Sequence, residues 1–89
     1  MFDSPSDRFI YTETLLRQHF GADFIALNDE SEEHLGHAGA AHGASHYEVL
    51  LARHALNSYG TLIKLHRAVY QVLTELIPHD IHALKIRLI

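Results

Sequence analysis

The sequence predicts one compact α+β domain with the element order helix-strand-strand-helix-strand and a three-stranded sheet with helices on one face. Two long segments, at about 5–20 and 61–77, repeat apolar residues at helical spacing. Three shorter segments, at 24–27, 46–51 and 81–89, concentrate or alternate apolar residues as strands do. Packing both helices on the same face of the sheet would bury all of these apolar stripes.

The first helix has sequence signals at both ends. Ser4 suits the N-cap, Pro5 the first helical position, and Asp7 the positive end of the helix dipole. Gly21 is typical of the residue at which a helix stops. The helix is therefore predicted to follow a disordered tail at 1–4 and to end at about 20. Its apolar stripe consists of Phe9, Thr12, Leu16 and Phe20.

The first two strands enclose a stretch that combines acidic residues, three glycines and several histidines. Because the strands are sequential, we expect them to pair antiparallel across this loop. The loop itself, at 32–44, has little apolar content and is expected to be mobile. Imidazole commonly ligates borderline metals, but surface histidines can also serve solubility alone, and the spacing leaves both interpretations open. The four histidines of the stretch are His34, His37, His42 and His46.

The second half of the chain begins with a turn at 57–60, which follows at most a short helical turn. The second helix is predicted at 61–77 and stops before Pro78. Residues 81–89 then alternate, which places His82 on the half-buried face of the third strand with Leu84 and Ile86. At the start of its strand, His82 is expected to be partly exposed. Its ring is either hydrogen-bonded in the core or available to a metal.

The composition excludes several classes of function. The chain of 89 residues has no cysteine, so it forms no disulfide, no cysteine-ligated zinc finger and no iron–sulfur cluster on its own thiolates. Residues 1–46 carry two basic residues against eight acidic ones, whereas residues 47–89 carry five against three. This asymmetry argues against a general nucleic-acid binder, although it allows a local basic patch in the second half.

The sequence also indicates where the protein works. It has no apolar run near the roughly 18 residues that a membrane span needs. Its first residues lack the basic-then-apolar pattern of a signal peptide. A cytoplasmic protein without a membrane partner is therefore expected. The chain contains no phosphate-binding glycine loop, nucleophile elbow or HExxH motif, so no catalytic residues are predicted and the protein is not expected to be an enzyme.

Four short motifs occur in an order that resembles the BolA family, and together they extend through about residues 8–88. Each motif is short, but their ordered series is specific. The motifs are Asp29-Glu30-Ser31-x-x-His34, Ser45-His46-Tyr47-x-Val49, His66-Arg67-x-Val69-Tyr70-x-x-Leu73 and Ile81-His82-Ala83-Leu84.

The resemblance implies a fold similar to the class II KH fold, although the chain lacks the GxxG loop with which KH domains clamp RNA. It also implies binding to a monothiol glutaredoxin of the CGFS type. Such a pair shares a bridging [2Fe–2S] cluster, for which the glutaredoxin and glutathione supply the thiolates, in iron–sulfur trafficking or iron regulation. By motif, this chain's ligands would be His34 and His82, with His37 or His42 as substitutes for His34. Alone, the chain would hold no cofactor and would be a monomer or weak homodimer.

The second helix supplies a candidate surface for partners. Lys64, His66 and Arg67 lie in the region with which the family contacts partners or, in some members, DNA. Leu65 replaces the first residue of the family's basic-His-Arg triplet, and the segment at 57–60 also departs from the pattern. Both changes disfavour DNA more than cluster binding. A DNA-binding transcriptional regulator that acts through the helix around His66 and Arg67 is therefore the alternative function, and an ordinary solvated helix face is the simplest structural explanation.

Overall fold

A computed structural model of the chain describes residues 4–30 and 45–89, and it places helices on one face of a mixed three-stranded sheet. The elements are α1 (Pro5–Phe20), β1 (Phe24–Asp29), β2 (Ser45–Leu51), α2 (Ala55–Tyr59), α3 (Leu62–Val72) and β3 (Ile81–Leu88). In strand order β1-β2-β3, β1 pairs antiparallel with β2, and β2 pairs parallel with β3. The predicted α+β class and the antiparallel pair are confirmed.

Helix α1 begins and ends where the sequence predicts. The Ser4 hydroxyl accepts a hydrogen bond from the backbone N–H of Asp7 at 3.1 Å. This bond satisfies one of the N–H groups that a helix start leaves without an intrahelical partner. Gly21 follows the helix with a φ of 56°, a left-handed conformation that glycine adopts without strain. The rest of the predicted N-terminal tail, residues 1–3, lies outside the described residues.

The short helical turn expected before the second helix is α2. Gly60 separates α2 from α3 with a φ of 85°, and such a conformation favours glycine. The Thr61 hydroxyl then caps α3 by accepting a hydrogen bond from the backbone N–H of Lys64 at 3.2 Å. Two helices therefore stand between β2 and β3.

The predicted end of the second helix at 77 is wrong, because α3 ends at Val72. Residues 73–80 form turns, in which the backbone N–H groups of Leu76 and Ile77 both donate to the carbonyl of Leu73. Leu73 and Leu76 are nevertheless fully buried. The apolar stripe thus continues through a folded turn, and its periodicity alone overestimates the length of the helix.

Strand β2 is buried on both faces. Tyr47, Val49 and Leu51 point into the core, and each is at most 1% exposed. The alternate residues of β2 occupy the other face of the sheet and are 5–8% exposed. The strand therefore organises the domain. The buried core consists of Leu16, Phe20, Phe24, Leu27, Tyr47, Val49, Leu51, Ala55, Leu65, Val69, Leu73, Leu76 and Ile81.

Strand β3 begins with an irregularity that the alternating sequence does not predict. Ser45 lies opposite Ile81, but the next residue, His46, lies opposite Ala83, so His82 is an extra residue on β3. Such a bulge breaks the alternation of a strand and redirects a side chain. Ile81 is fully buried and His82 is exposed, so the prediction that His82 shares the half-buried face of Leu84 is wrong. Leu84 and Ile86 are half-buried against the core.

Tyr11 on α1 contacts the segment that follows α3. Its hydroxyl donates a hydrogen bond of 2.8 Å to a carboxylate oxygen of Glu75. This hydrogen bond and the negative charge of Glu75 raise the pKa of Tyr11 above its ordinary value of 10.0. The contact therefore connects two regions that are distant in sequence.

Burial within α3 predicts which of its leucines stabilise the fold. Leu65 is fully buried, whereas Leu62, one turn earlier in the same helix, is 50% exposed. We expect Leu65→Ala to lower the free energy of unfolding by about 2–5 kcal/mol, because it removes core contacts and leaves a cavity. The control, Leu62→Ala, should change it by less than about 0.5 kcal/mol. Urea unfolding measures both, and equal losses would contradict this assignment of the core.

The contact between Tyr11 and Glu75 predicts a contribution to stability that is lost at high pH. Because the pKa of Tyr11 is higher in the folded state, the fold retains the phenol proton more strongly than the unfolded chain does. The contribution is fully present below about pH 10 and is lost as the pH rises through the raised pKa. We expect Tyr11→Phe to destabilise the protein at neutral pH and the difference to shrink above about pH 10. A difference in urea unfolding that is independent of pH would contradict the assignment.

Candidate functional site

His82 lies where the last strand begins, and its ring is exposed to solvent. The backbone on both sides of it is held: Ile81 is fully buried, and the Tyr70 hydroxyl donates to the carbonyl of Leu84 at 3.4 Å. A cavity of about 40 Å³ opens beside His82 between α3 and β3. The predicted partial exposure at the strand start is confirmed, and the ring is presented from an ordered backbone.

The ring of His82 lies beside that of His46, a histidine that the family motifs do not mark as a ligand. The ring centroids of His46 and His82 lie 5.2 Å apart, with an angle of 50° between the ring planes. His46 is the second residue of β2 and only 8% exposed. Its carbonyl accepts a hydrogen bond of 2.7 Å from the backbone N–H of Glu30, which fixes its backbone from the side of β1.

The loop ligands implied by the family resemblance lie outside the described residues. This applies to His34 and to its substitutes His37 and His42. Their role as ligands together with His82 remains a prediction. Within residues 4–30 and 45–89, no group of three or more histidine, aspartate or glutamate side chains forms a metal site.

The outer face of the sheet, opposite the helices, carries a network of charges around Glu48. This side chain is 5% exposed, and its carboxylate accepts a hydrogen bond of 3.1 Å from the Asn28 amide. The Lys85 ammonium lies 3.8 Å and the Arg87 guanidinium 3.7 Å from the same carboxylate. Lys85 also lies 3.5 Å from Glu30. The network satisfies a buried charge beside the histidine pair.

Helix α3 combines basic and apolar residues on its solvent side. Lys64 and Arg67 are exposed, and neither forms an ion pair with another described residue. His66 is half-buried. Leu62 and Ile63, at the start of the helix, are 50% and 66% exposed. This mixture of charge and apolar surface is typical of a site of protein contact.

The structure is a small α+β domain, and comparisons with known proteins identify its family. The family model described as BolA-like protein matches residues 16–89. The chain belongs to the BolA-like family, which confirms the resemblance found in the motifs.

Two solved structures from Arabidopsis thaliana have a similar fold. BolA1 is 23% identical, with a TM-score of 0.68, and the BolA domain of SufE1 is 26% identical, with a TM-score of 0.69. Each comparison covers 91% of this chain and 88% of the other. No curated protein sequence matches the chain.

The charge network predicts that Lys85 and Arg87 act together. Each side chain is about 60% exposed, so either cation alone can screen Glu48 and each ion pair contributes little. We expect Lys85→Ala and Arg87→Ala to cost less than about 1 kcal/mol each in unfolding free energy. The double variant should cost about 0.5–3 kcal/mol more than their sum, because the buried carboxylate then has no cation. Additive losses in urea unfolding would show that the cations act independently.

Proposed function

We propose that this chain is a non-enzymatic binding protein that pairs with a monothiol glutaredoxin and shares a bridging [2Fe–2S] cluster with it. The observation that carries the proposal is the exposed ring of His82 at the start of β3, in a chain of the BolA-like family. That position matches the family's C-terminal ligand by motif. The ordered backbone around it favours a ligand that is in place before the partner arrives.

The donor set of the chain fits a shared cluster and does not fit one held by this chain alone. The chain contains nine histidines and no cysteine. Clusters of this type are held by thiolates, with histidine replacing cysteine on one iron in the Rieske centres. The thiolates would therefore come from the glutaredoxin and glutathione, while His82 contributes an imidazole. Replacing thiolate by imidazole raises the reduction potential of such a cluster.

The surface of α3 supports a protein partner more strongly than it supports DNA. A helix that binds DNA phosphates needs basic residues along its exposed face, whereas Leu62 and Ile63 expose apolar side chains there. Lys64 and Arg67 lie beside this apolar patch, where they can contact acidic or polar groups at the rim of a partner's surface. We assign the glutaredoxin contact to this side of α3, with half-buried His66 at its edge.

The cytoplasmic location expected from the sequence stays a prediction. In the parts of the chain that the structure describes, no helix has the length and apolarity needed to cross a membrane.

Substitution of His82 tests the proposal directly. The unaltered chain, mixed with a monothiol glutaredoxin, glutathione, iron and sulfide, should give a complex with the visible absorption of a [2Fe–2S] cluster. We expect His82→Ala to lose the cluster at least about tenfold faster, because a ligand is absent. His79→Ala is the matched control, since it removes an exposed imidazole only three positions earlier, and it should leave the spectrum unchanged. Equal cluster stability in the two variants would make His82 a structural histidine.

The alternative function has its own distinguishing result. A DNA-binding regulator would bind duplex DNA at physiological ionic strength, with an affinity that falls steeply with salt. Binding that disappears in Arg67→Ala, together with failure to form a complex with the glutaredoxin, would favour the regulator over our proposal.

A further inference from the structure

We infer that His46 and His82 form a two-imidazole site that ligates one tetrahedrally coordinated transition-metal ion. This inference deepens the proposed function where the ion is a cluster iron, and it stands separately where the ion is a free divalent cation. It places the second imidazole on strand β2, at a residue that the motif comparison did not select, instead of in the loop between β1 and β2.

The separation of the two rings matches the geometry of such a site. With a metal–nitrogen bond of about 2.0–2.1 Å, the metal lies about 3.2 Å from the centroid of each imidazole ring. At the tetrahedral angle of about 109°, the two centroids then lie about 5.2 Å apart. The observed separation between His46 and His82 is 5.2 Å.

Ordinary packing of aromatic rings spans the same range of distances, so the distance alone does not identify a metal site. The positions of the two residues in the sheet supply separate support. His46 is held between β1 and β3 on the central strand. His82 is the extra residue of the β3 bulge, and bulges commonly redirect a side chain near a functional site. The irregularity in register between β2 and β3 therefore occurs where it brings these two rings together.

The site also has room for further ligands. His46 lines a cavity of about 150 Å³, and His82 lines a smaller one of about 40 Å³; the two cavities share Ala83 and Leu84. A tetrahedral ion with two imidazoles needs two more ligands, which water or a partner's thiolates would supply from the solvent side of exposed His82.

Metal binding requires one adjustment at His46, because both of its ring nitrogens are shielded from solvent. Rotation about the bond that joins the ring to its side chain changes which ring atoms face His82, and this torsion is soft in histidine. The ring centroid lies close to the rotation axis. The rotation therefore changes which atom faces His82 and leaves the separation of 5.2 Å almost unchanged.

The first arm of the test uses the free chain and zinc. Histidine side chains are labelled with ¹⁵N, and their ring resonances are followed during titration with Zn²⁺. We expect the resonances of His46 and His82 to shift together, ahead of those of the other histidines. His46→Phe keeps an aromatic ring without a nitrogen, and it should weaken zinc binding at His82 by about tenfold or more, because the second ligand is lost. His54→Phe, at an exposed histidine paired with Asp23, is the matched control and should change nothing.

The second arm uses the mixed complex with glutaredoxin and glutathione. If the ion is a cluster iron, His46→Phe should alter the electron paramagnetic resonance spectrum of the reduced cluster and accelerate cluster loss by about tenfold or more. If zinc shifts the resonances of His46 and His82 together but His46→Phe leaves the cluster unaltered, the site binds a free divalent cation. If His46→Phe alters the cluster but zinc does not shift the two histidines together, the site ligates a cluster iron. Both results support the paired site.

Two results together overturn the inference. Zinc shifts the ring resonances of His82 without those of His46, or shifts neither, and His46→Phe leaves the cluster unchanged. The zinc titration of the unaltered chain needs no substitution, so a folding defect in His46→Phe cannot obscure the result. If the unaltered chain forms no complex with glutaredoxin, the proposed function fails. The zinc arm then decides the paired site alone.

Discussion

The double burial of strand β2 is the constraint on which the rest of the structure depends. Its odd-numbered residues from Tyr47 to Leu51 complete the core, and its even-numbered residues are covered on the opposite face. A shift in register by one residue would move Glu48 into the apolar core and Val49 into the charged network on the outer face. Such a shift would cost several kcal/mol, because it would bury a charge without its cations. The pairing of β2 with both neighbours is therefore strongly specified.

This fixed register separates two surfaces of the domain. The outer face of the sheet carries balanced charges around Glu48 and ends at the histidine pair. The solvent side of α3 carries Lys64 and Arg67, which form no ion pair with another described residue, beside exposed Leu62 and Ile63. Charges that are already neutralised within the sheet contribute little to attracting a partner. The proposed recognition through α3 and the proposed ligation at the end of the sheet therefore involve different parts of the molecule.

The elements were predicted well where local signals determine them. Ser4, Pro5 and Gly21 fix the ends of α1 because capping groups and backbone preferences act within a few residues. The prediction failed at the end of α3, where Leu73 and Leu76 continue the apolar stripe. Burial of a side chain is needed in a helix and in a turn alike, so an apolar pattern does not distinguish between the two when the turn packs on the core.

The sequence by itself determined the element order, the family and the candidate His82, because these depend on local propensity and on an ordered series of motifs. Only the tertiary structure decided that His82 is the extra residue of a bulge and that its ring lies next to that of His46. The register between β2 and β3 caused this difference. Register depends on two segments, β2 and β3, which are separated in sequence by two helices. The alternation within β3 alone does not specify which residues of β2 it pairs with.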